Sequence, residues 1–290
     1  MPIKSILCVF GGEQYELNAV NTAMSLALSY GAQLRVLHIS AEPAHYVGLY
    51  GEGIIASSEL IAIFEKENEE RLLNAKTHVS AIASKYHLPL NVEDAPTHHA
   101  SVNFLHLKGM VSTAVTDEGR LSDLIILAKS QDMIGFPNDF GFITPALFNT
   151  GRPVLLLPTT GDLPWRGQTI GLAWNESMEA SRILLSSMSL LNRAEKVYVF
   201  LAYRTNKEKP KAAEPKLIQY LKMHDIAAEI ITVGQGHHSA AEAILTKAKE
   251  LKVDLLAMGA YGHSVFRETI LGGFTEYMLH HADIPLILAH

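Results

Sequence analysis

The same order of segments occurs twice along the chain. Residues 3–10 and 169–174 are short apolar runs, each followed by an amphipathic stretch, residues 17–30 and 178–191, and then by a second apolar run, residues 34–39 and 197–202. Toward the end of each half comes Asp-Leu with further apolar residues: Asp123-Leu124-Ile125-Ile126-Leu127 and Asp254-Leu255-Leu256-Ala257-Met258. Both halves close on a Pro-led run, Pro153-Val154-Leu155-Leu156-Leu157 and Pro285-Leu286-Ile287-Leu288. A chain of 290 residues built this way is predicted to be two copies of one domain of ordinary size. Residues 159–165, with their Thr, Gly, Asp and Pro, read as the linker, so the domains are placed at 1–158 and 166–290.

The apolar runs are continuous rather than alternating, the pattern of strands buried on both faces in a parallel sheet covered by helices. Between them lie segments of helical period. In residues 57–86, Leu60, Ile63, Phe64, Leu72, Ala75, Val79, Ile82 and Tyr86 fall largely on one stripe, and residues 65–71 form a polar face. Residues 212–224 are the shorter equivalent in the second copy. Each half reads as five strands and four helices, an α/β doubly wound layout in which ligands sit at the carboxyl ends of the strands.

Composition narrows the function classes. The formal charge is -6, with 24 Lys and Arg against 30 Asp and Glu, which argues against nucleic acid as a partner. The single cysteine, Cys8, lies in an apolar run and is expected to be a buried, inert thiol. No stretch approaches the roughly 18–20 apolar residues of a bilayer span, and the N-terminus lacks signal-peptide architecture. A cytoplasmic protein with no membrane partner is therefore expected.

After the run at 254–258 the chain reads Gly259-Ala260-Tyr261-Gly262-His263-Ser264, followed further on by Gly272-Gly273-Phe274-Thr275. Glycines after a parallel strand let the backbone turn tightly and approach a bound group. The second pair falls where a helix is expected to start, and free N–H groups there favour a phosphate, with Thr275 adding a hydroxyl. On residue chemistry alone, phosphate binding and simple loop geometry stay open as two readings.

The spacing Gly259-x-x-Gly262, nine residues, then Gly272 resembles the nucleotide loop of the universal stress protein (UspA-like) family. The resemblance runs over the whole chain as two copies, more strongly in the C-terminal one. It implies a Rossmann-like five-stranded sheet of order 3-2-1-4-5 in each copy. It further implies a pseudo-two-fold intrachain dimer with residues 154–157 and 286–289 at the interface, open to further homodimer formation. It also implies a site for ATP, ADP or AMP, the triphosphate accompanied by Mg. Carried over, Met258 and Gly259 border the nucleoside, Tyr261 and Gly262 face ribose and phosphates, and Gly272, Gly273, Phe274 and Thr275 cradle the triphosphate. Ala173, Trp174 and Asn175 lie at the end of the first strand, with Ala202 and Val233 at the second and third.

Two positions depart from the pattern of ATP-binding members: Gly273 stands where they have Ser or Thr, and Asn175 where they have an acidic residue. The first copy departs further. Ala128-Lys129-Ser130-Gln131 replaces Gly259 to Gly262, Gly11-Gly12-Glu13 follows the first strand, and Phe136 to Gly141 does not rebuild the cradle. That copy is expected not to bind ATP, while residues 42–53, with Tyr46 and Tyr50, form either a lid over another ligand or an ordered surface loop.

Fourteen histidines include the pairs His98-His99, His237-His238 and His280-His281. Adjacent residues on a helix point about 100° apart, so a pair seldom supplies two ligands to one ion, and no metal site is assigned. His280-His281 is expected to serve a helix C-terminus. No nucleophile elbow, Walker loop or His-Glu-x-x-His occurs, so the chain is not expected to be an enzyme beyond slow ATP hydrolysis. The expected function is a nucleotide-binding stress-response module. The alternatives are an interaction scaffold that binds no nucleotide, or a metal-binding protein using histidines of the first copy.

Overall fold

The computed structural model describes residues 3–40, 58–92, 99–129, 141–159, 167–203, 213–234, 239–261 and 273–290. Two compact units divide the chain, Ile3–Arg152 and Pro153–His290. The first holds β1 (Ser5–Val9), α1 (Leu17–Tyr30), β2 (Gln33–Ser40), α2 (Ser58–Lys85), β3 (Ser101–Lys108), α3 (Val111–Arg120), β4 (Leu124–Ala128) and α4 (Ile143–Asn149). Its strands are parallel and ordered β3-β2-β1-β4.

The second unit begins with β5 (Val154–Leu157) and continues through β6 (Thr169–Ala173), α5 (Met178–Leu191), β7 (Lys196–Tyr203), α6 (Ala213–Met223), β8 (Ala228–Gly234), α7 (Ala240–Glu250), β9 (Leu255–Gly259), α8 (Gly273–His281) and β10 (Leu286–Ala289). Its order is β5-β10-β9-β6-β7-β8. From β6 onward this is the expected 3-2-1-4-5 parallel arrangement. β5 pairs antiparallel with β10, Leu155 opposite Ile287, and that pairing counts it with this unit.

Burial follows the continuous apolar runs. Ile6, Leu7 and Cys8 of β1, Ile125 and Ile126 of β4, and Leu255 to Met258 of β9 are fully enclosed. Burial pushes the Cys8 thiol far above its ordinary range, so it stays protonated and unreactive.

The repeated Asp-Leu has one structural job in both copies. The Asp123 carboxylate accepts from the backbone N–H groups of Lys4 (2.8 Å) and Ser5 (3.0 Å). The Asp254 carboxylate accepts from those of Gln168 (2.8 Å) and Thr169 (3.2 Å). Each acid thus secures the entry of its copy's first strand beside the fourth.

In α2 the apolar stripe holds over Ala75, Val79 and Ile82, which are buried, but Ile63 is 54% exposed. At about 1.5 Å per residue the 28-residue helix is roughly 42 Å long, against about 26 Å for the eight-residue strand β2, so its N-terminal turns outrun the sheet.

Candidate functional site

In the second copy the carboxyl ends of β6, β7, β8 and β9 lie along one edge, because all four strands are parallel. Ala173 and Met258 are register partners on β6 and β9, and Ala202 and Val233 are partners on β7 and β8. Ala173, Val233 and Met258 are buried.

Past Ala173 the Trp174 N–H donates to the Phe200 carbonyl (3.0 Å), extending the β6–β7 ladder by one residue. The Trp174 indole Nε1–H is enclosed and has no acceptor among the described residues. A buried donor in that condition costs free energy unless something accepts from it. Asn175 is exposed, and its Oδ1 accepts from the Ser177 N–H (3.2 Å), an Asx turn that starts α5. Ser177 caps the helix, its Oγ accepting from the Ala180 N–H (3.1 Å).

The start of α5 packs directly on the end of β9. A Cβ on Gly259 would stand 2.7 Å from the Glu179 carbonyl carbon and 2.8 Å from the Ala180 nitrogen. Gly259 is therefore required by helix-on-strand packing, whatever else it does. Beyond it, Ala260 donates its N–H to the Ala289 carbonyl (2.8 Å), and the Ala260 carbonyl accepts from His290 Nδ1 (3.1 Å).

Tyr261 takes up the left-handed backbone region, φ 60°, as the chain leaves the sheet. Its N–H donates to Thr275 Oγ1 (3.3 Å), tying the loop's first residue to the first turn of α8. Both side chains are buried. Burial, and then the negative charge of Glu276, push the Tyr261 phenol up to about 12. Gly273 begins α8 on the exposed side, and a Cβ built there meets nothing within 4 Å among the described residues. Phe274 is half-buried. Gly262 and Gly272 lie outside the described residues.

Three residues of this edge carried no role in the sequence reading: Glu179, buried in the first turn of α5; Glu276, whose charge reaches Tyr261; and His290. The Ser177 cap had a legible signal, a serine just before an apolar-periodic segment. The acids did not, since each becomes relevant only when α5 and α8 converge on β9.

The corresponding edge of the first copy is built differently. Backbone N–H groups of Gly11, Gly12 and Glu13 wrap the carboxylate of Glu16, the Glu13 bond measuring 3.0 Å. Burial nonetheless raises the Glu16 carboxyl to about 7. Gly12 has φ 98°, and a Cβ on it would approach the Arg71 carbonyl oxygen to 2.7 Å. Ala128 ends β4 and Lys129 follows it; residues 130–140 and the proposed lid at 42–53 lie outside the described residues.

Among the described residues no group of three His, Cys, Asp or Glu could hold a metal ion, and no helix is long and apolar enough to cross a membrane. His98, His237 and His238 fall outside them. His281 Nδ1 lies 2.9 Å from the Tyr277 carbonyl, as expected for a histidine serving a helix end.

Residues 177–290 match the model of the universal stress protein family. The whole chain is similar to universal stress protein Slr1230 of Synechocystis sp., 24% identical over 98% of this chain and 99% of that protein. Among solved structures, a universal stress protein from Archaeoglobus fulgidus shares the fold with a TM-score of 0.70, at 12% identity, over 98% of this chain and 97% of that one. A putative universal stress protein from Pseudomonas aeruginosa matches with a TM-score of 0.60, at 16% identity, over 99% and 93%.

Proposed function

We infer that this chain, a member of the universal stress protein family, binds a nucleotide of the ATP, ADP or AMP class in its C-terminal copy. Family membership supports a stress-response role, and the nucleotide site is the finer reading. The observation that carries it is the enclosed Nε1–H of Trp174, a donor with no acceptor among the described residues, at the carboxyl end of the first strand. After β9, the start of α8 offers backbone N–H groups to a phosphate, and among the described residues nothing lies within 4 Å of a Cβ built on Gly273. Trp174 would give a hydrogen bond to the nucleoside. Gly262, Gly272, Gly273 and Thr275 would hold the phosphates, with Mg accompanying a triphosphate. The function proposed is binding that tunes the protein's stability or contacts, without turnover as its purpose.

Replacing Trp174 by Phe keeps the ring and removes the donor. The variant should bind ATP more weakly by about fivefold, the equivalent of about 1 kcal/mol, as read from ligand-induced thermal stabilisation. Equal stabilisation of both proteins by millimolar ATP would remove Trp174 from the site, and none in either would remove the nucleotide reading.

A second reading, an interaction scaffold without nucleotide, is favoured by one observation. Packing against α5 fully accounts for Gly259 without a ligand. The thermal comparison separates the two, because a scaffold gives no shift with any nucleotide.

A further inference from the structure

At the carboxyl ends of β1, β2 and β3, the first copy gathers positive groups and histidines from three elements, β2, β3 and α2. His38 and His106 are register partners on β2 and β3, their ring centroids 5.8 Å apart. The His38 Nδ1–H donates to the Phe10 carbonyl (2.9 Å), which leaves Nε2 as the nitrogen that can gain a proton. His106 Nε2 and Ser40 Oγ share a hydrogen bond of 2.9 Å.

The charges of Arg71 and Lys76 on α2 disfavour a proton on His38, and those of Lys76 and of Lys108 on β3 disfavour one on His106. Burial first, and then these cations and each other's proximity, hold His38 below its ordinary value; His106 is lowered by burial and by the two lysines. His78 of α2 meets the Phe10 ring edge-on at 6.4 Å. Among the described residues, the acids of this edge are Glu13, 3.6 Å from Arg71, and Glu16, whose carboxylate is taken up by the backbone N–H groups of its own turn.

Among the described residues, Arg71, Lys76 and Lys108 thus bring more positive charge to this edge than Glu13 offsets. Burial and that crowding both disfavour protonation of the two rings. An anion would relieve the repulsion and let the rings take up protons. A carboxylate carries one charge and two oxygens. A tetrahedral oxyanion carries up to two charges and at least three oxygens, closer to the number of donors available.

We propose that this edge of the first copy binds a phosphate- or sulfate-type oxydianion, held by Lys76 and Arg71 and by His38 and His106. The site is separate from the nucleotide site of the second copy and does not depend on it. Binding takes up protons, so affinity declines as pH rises.

The test is calorimetric titration of the full chain with inorganic sulfate, which stays a dianion across the range used. Sulfate should bind at about pH 6 at least roughly tenfold more tightly than at about pH 8, as the uptake of about one proton requires. Lys76→Ala, at an exposed position of α2, should weaken binding at least about threefold without altering the melting temperature. Absence of binding at millimolar sulfate near pH 6, or affinity indifferent to both pH and Lys76→Ala, would overturn the proposal. Parallel titrations with inorganic phosphate and glycerol 3-phosphate identify the source. A tenfold preference for the ester points to an organic phosphate and equal affinity to the free anion, and either supports the site.

Discussion

On the proposed nucleotide reading, Gly273 and Glu276 would both shape how well the start of α8 holds a phosphate. The missing side chain at 273 leaves space that a serine can occupy, since no atom of the described residues lies within 4 Å of its would-be Cβ. Gly273→Ser should therefore fold normally and tighten ATP binding by about fivefold through one added hydroxyl donor. Glu276 works the other way, placing negative charge in the first turn where the phosphates would sit. In the first copy, Glu16 makes a distinct prediction. Its folded carboxyl is raised from 4.5 to about 7, so folding takes up a proton between those values, and stability falls as pH climbs through that window. Glu16→Gln should flatten the decline, measured as urea stability at about pH 5 and about pH 8. An unchanged slope would mean that Glu16 is not the group responsible. The positions of Gly259 at the end of β9 and of Gly273 and Thr275 at the start of α8 were legible because glycine spacing after a strand is a local signal. Trp174 lies at the end of the first strand as the sequence suggested, but that its indole N–H has no acceptor among the described residues emerges only from the packing around it.

Two contacts between elements, one at each end of β9, should have losses that are measurable apart from ligand. The first turn of α5 lies so close to β9 that Gly259→Ala must push the helix or the strand aside, at a cost of about 1–3 kcal/mol in urea unfolding. Asp254→Ala removes the acceptor for two backbone N–H groups at the start of β6 and should cost about 1–2 kcal/mol. Asp123→Ala should behave alike in the first copy, because Asp123 binds Lys4 and Ser5 in the same way. Strands and helices were readable in the sequence, since continuous apolar runs and helical periods are local patterns. Ile63 shows where that reading stops. Periodicity gives a helix and its stripe, but only the length of the neighbouring strands decides how much of the stripe is covered.

Duplication explains how one chain can carry two unlike edges on one topology. In the second copy the exit of β9 is a glycine-led turn tied to α8 through Tyr261 and Thr275. In the first, a carboxylate fills the turn after β1, and histidines and lysines gather at β2 and β3. That divergence was partly legible, because the loss of glycines at 128–131 is visible in the sequence, whereas the meeting of His38, His106 and Lys76 requires the fold. The nucleotide reading consequently assigns one site per chain. Titration calorimetry of the full chain with ATP measures this directly. A stoichiometry of one ATP per chain is predicted, and either two equivalent sites or no binding at millimolar ATP would contradict it.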